Sequence, residues 1–331
     1  MEDESLLETR DIDAAPVEAS ALPEAGTVQL GFDAHRRRVD ERLAALLPRA
    51  LPGQTPLDDA LRDAVLAPGK RLRPIMTVLV SEALGGPTAA AVDAGCAVEM
   101  VHAASLVLDD LPCMDDASLR RGRPTVHVAH GEDVAVLAAI AALSGAFRLL
   151  AEIESLSPTA RIEAVSILTG SVGLHGLVGG QFNDLRGGRD SRPIGEIAAA
   201  NGLKTGALFC AAAEIGAVAA GAGGRARQLL CGFAAELGHA FQLLDDVIDS
   251  CSSLHAAGKD VGKDAGKSTI VALIGRRSTE ARIERHVAGA EAKLTELFGP
   301  SSRLHAFVGG IVEAARTAGA PSRPEIAAAR G

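Results

Sequence analysis

Residues 88–116 read TAAAVDAGCAVEMVHAASLVLDDLPCMDD. From 88 to 108 apolar residues fall on nearly every side of a 3.6-residue turn, the pattern of a helix buried all round rather than on one face. Such a helix needs other helices around it. On the N-terminal side, Val39, Leu43, Leu46 and Leu47 mark one face of a first helix, and 57–66 and 74–84 read as two more. On the C-terminal side, helical stretches are expected at 133–155, 158–178, 194–221, 225–251, 268–276, 279–298 and 302–318. There is no βαβ alternation and no short repeat. Breaks such as Gly85-Gly86-Pro87, Gly179-Gly180 and Gly187-Gly188 punctuate helices but are too short to link domains. The expected architecture is a single all-α domain over residues 29–318. An acidic disordered tail is expected over 1–28, and a flexible tail over 319–331.

Composition agrees. The 331 residues are 47% hydrophobic and only 2% aromatic, with eight Phe and no Tyr or Trp. That disfavours an antiparallel β-sandwich and a protein that stacks bases on rings. A net charge of −9 offers no broad attraction to nucleic acid or anionic lipid, so an anionic substrate needs a local cation cluster. The five cysteines, Cys96, Cys113, Cys210, Cys231 and Cys251, contain no CxxC pair and read as reduced thiols in a cytoplasmic protein. The acidic start lacks the features of a signal peptide. The longest uncharged run, 164–183, is interrupted by Gly, Ser, Thr, His, Gln and Asn and reads as a poor membrane span, so no integral membrane segment is expected.

Two acidic clusters carry the chemistry. Asp109, Asp110, Asp115 and Asp116 lie within eight residues, directly after the most apolar helix. Asp245, Asp246 and Asp249 stand inside a second apolar stretch, at i, i+3 and i+4 spacings that share a helix face. Like charges so placed repel, and apolar surroundings raise the cost of ionising them, so a cation is the natural remedy. Hard oxygen ligands without His or Cys point to Mg2+. Magnesium takes few protein carboxylates and leaves room for substrate phosphates. Basic segments lie beside the acids: Lys70-Arg71-Leu72-Arg73, Arg120-Arg121-Gly122-Arg123, Lys204-Thr205-Gly206 at an expected helix start, and a Gly/Lys ladder over 258–269. None is a Walker loop. Acid, metal and base within apolar walls suggest a diphosphate ester of a hydrocarbon.

These motifs resemble the trans-isoprenyl diphosphate synthases, and among them the bacterial geranylgeranyl diphosphate synthases of carotenoid pathways. The resemblance runs from about 57 to 275. It rests on GKRLRP, His102 seven residues before Asp109, the longer-spaced first aspartate motif, LRRGRPT, KTG, FQ, the unbroken Asp245-Asp246-Val247-Ile248-Asp249, and GKDxGKDxGKST. It implies a bundle of long helices around a deep central cavity, usually homodimeric. It implies that Asp109, Asp115, Asp245 and Asp249 bind Mg2+, with Asp110, Asp116 and Asp246 assisting. Lys70, Arg73, His102 and Arg121 would hold isopentenyl diphosphate; Arg120, Lys204, Thr205, Gln242 and Lys259 would hold the allylic diphosphate or its departing pyrophosphate. Lys204 and Lys259 would thereby act in catalysis with the four principal aspartates. Two positions depart from many relatives: Ala117 interrupts the acidic run, and Ala139-Ile140 replaces Gly-Asp.

The chemistry is consistent with the residues themselves. Ionising an allylic diphosphate puts charge on the leaving pyrophosphate, which metal and fixed cations stabilise, while the carbocation needs dry, non-nucleophilic walls. Ala104 and Ser105 lie about 6 to 7.5 Å up the helix from Asp109 and are small. Met100 and Val101, at about 12 to 13.5 Å, are the first bulky candidates for a pocket floor, a depth suited to a twenty-carbon product. The rival readings are a farnesyl diphosphate synthase, a class I terpene cyclase, a non-catalytic partner subunit and a helical binding module. The intact second aspartate motif speaks against the cyclase, and two undamaged motifs speak against the last two.

Overall fold

The computed structural model describes residues 25–49, 51–186, 193–256 and 270–318. In chain order the helices are α1 (Ala25–Leu46), α2 (Thr55–Val65), α3 (Leu72–Ala83) and α4 (Thr88–Asp109), then a hairpin of β1 (Leu119–Arg120) and β2 (Arg123–Pro124). There follow α5 (Val126–His130), α6 (Glu132–Ala151), α7 (Pro158–Val172), α8 (Leu177–Arg186) and α9 (Ile194–Asn201). The chain continues with α10 (Ala207–Ala219), α11 (Gly224–Ala256), α12 (Ile270–Ile274), α13 (Arg276–Phe298) and α14 (Arg303–Ala318). The fold class is all-α.

The helix whose sequence is apolar all round is the central one. α4 packs against α1, α2, α3, α6 and α10, and buries Val92, Cys96, Val98, Met100, Val101, Ala104 and Val107. Its one buried charge, Glu99, accepts a 2.7 Å hydrogen bond from Arg71 Nη1. Arg71 also donates from Nε to Asp40 Oδ1 at 2.7 Å and from Nη2 to the Ala67 carbonyl at 2.9 Å. A buried ion pair persists only when its remaining donors are satisfied in this way, so Arg71 ties α1, α3 and α4 together. Its charge is structural.

Several expectations are corrected. α1 begins at Ala25, four residues inside the stretch assigned to a tail; the remainder of that acidic stretch and residues 319–331 lie outside the described residues. The helix expected over 158–178 stops at Val172, where Gly173 is extended, and resumes as α8. Gly179-Gly180 therefore lies inside a helix and is no break. The helix expected over 194–221 contains a π-helical turn, Gly202–Gly206, between α9 and α10. The antiparallel hairpin pairs Leu119 with Pro124 and Arg120 with Arg123, and is too short to register as a period-two pattern.

By length and apolar content alone, four helical stretches would suffice to cross a membrane: Thr88–Asp109, Glu132–Ala151, Pro158–Arg186 and Ile194–Ala219. The third contains the run 164–183 expected to be too polar, because its Val, Ile and Leu outweigh its Gly and Ser in mean hydropathy. The first and last are mostly buried within the bundle.

Candidate active site

α4 ends at Asp109, and the chain turns sharply beyond it. Asp110 caps the helix, the Asp115 amide donates to the Asp109 carbonyl at 2.9 Å, and Asp116 adopts a positive φ of 49°. This tight turn folds the two-residue insertion Pro112-Cys113 back on itself, so Asp115 returns to Asp109. Burial, with the neighbouring Asp115, pushes the Asp109 carboxyl above the ordinary aspartate range, and the Lys204 ammonium opposes that. The two adjacent aspartates differ in role. Asp110, 3% exposed, is gripped by Arg120, whose Nε and Nη2 donate to its carboxylate at 2.8 and 2.6 Å. Asp110 therefore fixes Arg120 beside the acidic turn rather than projecting with Asp109.

The hairpin turn carries Arg121, at φ 54°, back to the segment preceding α3, where its Nη1 donates to the Pro68 carbonyl. Four expected substrate ligands meet there. Arg73 Nη1 lies 3.5 Å from His102 Nε2, and the Arg73 guanidinium stacks 4.5 Å from the Phe209 ring centroid. The Lys70 ammonium sits 6.0 Å over Phe241. Arg73 Nε is buried without a hydrogen-bond partner. Burial pulls the Arg73 pKa down to about 10 against the attraction of Glu99 and Asp245, with Arg121 adding to the depression. Burial and then the arginines 73, 121, 120 and 71 hold His102 well below the usual imidazole range, so it is neutral at physiological pH. These are cations short of an anion.

The third component is the π turn. Lys204 does not open a helix; it lies within a continuous helical run whose wide turn presents it toward α4 and α8. Its Nζ is 3.2 Å from Asp184 Oδ2 and 3.6 Å from Asp109 Oδ2. Gly180 makes this possible. A Cβ there would stand 2.4 Å from the Lys204 amide nitrogen, so only glycine lets α8 press against the turn. Thr205 Oγ1 donates to Gln242 Oε1 at 2.8 Å, and Gln242 Nε2 donates to Asp246 Oδ1 at 3.0 Å. Asp245 and Asp246 stand half-buried on α11, next to this chain. Asp249 is also on α11, but its side chain and the whole of Lys259 lie outside the described residues.

The structure thus brings Lys70, Arg73, His102 and Arg121 together on one side and Asp109, Asp115 and Lys204 on the other, with Thr205, Gln242 and Asp246 in a relay beside them. Further up α4, Ala104, Met100 and Val101 are buried, Ser105 is half-buried, and the Met100 methyl lies against Gly145 of α6. Sequence reasoning missed Asp184, and also Gln181, whose amide nitrogen and oxygen are both buried without partners. The available signal is Gln181, Asn183 and Asp184 directly after the glycine pair 179–180.

Among the described residues no three His, Cys, Asp or Glu side chains converge closely enough to hold a metal by themselves. Magnesium takes only one or two carboxylates from a protein, with substrate oxygens and waters completing its shell. Asp109, raised by burial and then by the neighbouring Asp115, has with Asp115 the donor chemistry for it.

Residues 54–297 match the family model described as polyprenyl synthetase. The chain belongs to this family. It is 47% identical over 260 residues to a geranylgeranyl diphosphate synthase of Pantoea ananas, covering 78% of this chain and 84% of that one. It is 44% identical over 262 residues to the protein of the same name from Pseudescherichia vulneris, with the same coverage. A solved FPP/GFPP synthase from Zymomonas mobilis superposes with a TM-score of 0.78 at 32% identity, over 87% of this chain and 99% of that one. The polyprenyl synthetase match spans the segments described above, from Lys70 to Asp246. The chain is accordingly an enzyme of the trans-isoprenyl diphosphate synthase class.

Proposed function

We propose that this enzyme condenses isopentenyl diphosphate with allylic diphosphates in a Mg2+-dependent reaction and releases geranylgeranyl diphosphate as its main product. The observation that carries the reading is Arg73: a half-buried guanidinium with an unpartnered Nε, beside a neutral His102 and a second cation, within the field of Asp245. An isopentenyl diphosphate would supply the missing anion. Arg73 and Arg121 would grip it, Lys70 would neutralise it, and His102 would offer a hydrogen bond without adding charge.

Asp109, Asp115, Asp245 and Asp249 would hold Mg2+, with Asp116 and Asp246 assisting. The ion would neutralise charge on the departing pyrophosphate. Lys204, Thr205, Gln242 and Lys259 would receive that pyrophosphate, with Arg120 held in place by Asp110. The apolar walls of α4 keep water from the allylic cation, and the proton lost after condensation can pass to the pyrophosphate oxygens, so no side-chain base is required. Ala104 and Ser105 leave the upper pocket open, while Met100, spanning to α6, and Val101 close it. The relatives' names support the twenty-carbon product over the fifteen-carbon alternative.

The same reading takes the protein as a cytoplasmic homodimer serving an isoprenoid pathway such as carotenoid synthesis. Leu137, Ile140, Ile162, Leu174, Val178 and Phe182 are each at least half exposed along α6–α8. Apolar exposure on that scale suits a partner surface, and a second copy would cover it without a membrane. The test of the reaction is pyrophosphate release on mixing isopentenyl and farnesyl diphosphates. It should require Mg2+ and stop in excess EDTA; full release in EDTA would make the metal assignment wrong.

A further inference from the structure

α10 and α11 are consecutive helices joined by four residues, 220–223, and they run antiparallel along one another. Their backbones nearly touch at one crossing: a Cβ on Gly238 would stand 3.1 Å from the Gly206 Cα. About one turn further along α10 lies Cys210, and on the facing stretch of α11 lies Cys231. Cys210 Sγ donates to the Cys231 carbonyl oxygen at 3.6 Å, which sets the two residues side by side on facing helices. Neither residue is fully buried. Cys231 lines an open groove of about 470 Å³ together with Glu214, Arg227 and Gln228. The prenyl-transfer site uses neither cysteine.

We propose that Cys210 and Cys231 form a dithiol site that small-molecule disulfides oxidise reversibly to an intramolecular disulfide between α10 and α11. The 3.6 Å between Cys210 Sγ and the Cys231 carbonyl oxygen puts the first thiol within reach of the second residue across the facing helices, as a disulfide requires. Cys231 is the attacking sulfur. It lines the groove, and its pKa is lowered beside Cys210, whose own is pushed up. The Cys231 thiolate attacks one sulfur of the small disulfide, forming a mixed disulfide and expelling one thiolate, which takes a proton from solvent. Cys210 then loses its proton and attacks the Cys231 sulfur, expelling the second thiolate. Two protein thiols and one small disulfide thus become one protein disulfide and two small thiols, and two electrons pass to the oxidant.

The test treats the full-length native protein with oxidised glutathione at pH 7.5, blocks remaining thiols by alkylation, and maps peptides by mass spectrometry without reduction. The proposal predicts a Cys210–Cys231 linked peptide within one chain, abolished by dithiothreitol. Cys210→Ala should stop the reaction at glutathione on Cys231. Cys231→Ser should leave Cys210 unlinked and at least tenfold slower to alkylate than Cys231 is in the native protein, with an unchanged circular-dichroism spectrum showing that both variants fold. Glutathione retained on Cys231 in the native protein, modification confined to other cysteines, or linkage only between two chains would each overturn it.

Discussion

Arg73 shows how a residue's surroundings define its task. Its guanidinium stacks on Phe209 and touches His102, yet its Nε finds no acceptor within the protein. A planar fork can clasp a diphosphate with two parallel bonds, which an ammonium cannot reproduce. Arg73→Lys should therefore raise the Michaelis constant for isopentenyl diphosphate about tenfold, and that for the allylic substrate much less, in steady-state kinetics. Equal rises would mean that Arg73 does not discriminate between the two substrates. The neighbouring His102 gives a stability prediction. Its pKa is depressed in the folded protein, so below about 6.5 the unfolded chain takes up a proton that the folded chain refuses. Stability from this residue is present above that pH and is lost as pH falls. Thermal melts from pH 7.5 to 5.5 should show a larger drop for the native protein than for His102→Gln; parallel curves would contradict the neutral assignment. The cation cluster was legible in GKRLRP and LRRGRPT as sequence. The division of labour within it was not, because Arg71 looks like its neighbours until Glu99, 28 positions away, is seen to bind it.

At the scale of the element, α4 was readable from end to end, since its composition matches burial on every side. The helical run from Ile194 to Ala219 was not. Its π turn leaves no mark in hydrophobic periodicity, and its position depends on Gly180 from another helix. Gly180→Ala should push α8 from Lys204, lowering the melting midpoint by several degrees, as an overpacking cost of about 1–3 kcal/mol implies, and turnover by at least tenfold. Unaltered turnover would show that the contact does not set the Lys204 position. α4 carries the product-length prediction. Ala104→Phe fills the pocket one turn above Asp109 and should shift the main product to farnesyl diphosphate while the first condensation proceeds, as read by chromatography of dephosphorylated products. An unshifted product from a folded variant would place the floor elsewhere.

At the scale of the molecule, the exposed apolar residues of α6–α8 are the feature that one chain leaves unsatisfied. The sequence showed apolar helices there but could not say which faces the bundle covers, since the stretches Glu132–Ala151 and Pro158–Arg186 are both strongly apolar yet mostly not buried. Replacing Leu137 and Ile140 together by Glu should yield monomers in sedimentation velocity at micromolar concentration; a persisting dimer would move the interface to another surface. Asp109 and Asp245 stand 136 positions apart in the sequence, and the reading that they serve one site is tested by the reaction itself. The most direct measurement is product chromatography after the native protein is incubated with labelled isopentenyl diphosphate, an allylic diphosphate and Mg2+. The account predicts a principal twenty-carbon product, geranylgeranyl diphosphate. A principal fifteen-carbon product, or none at all, would contradict it.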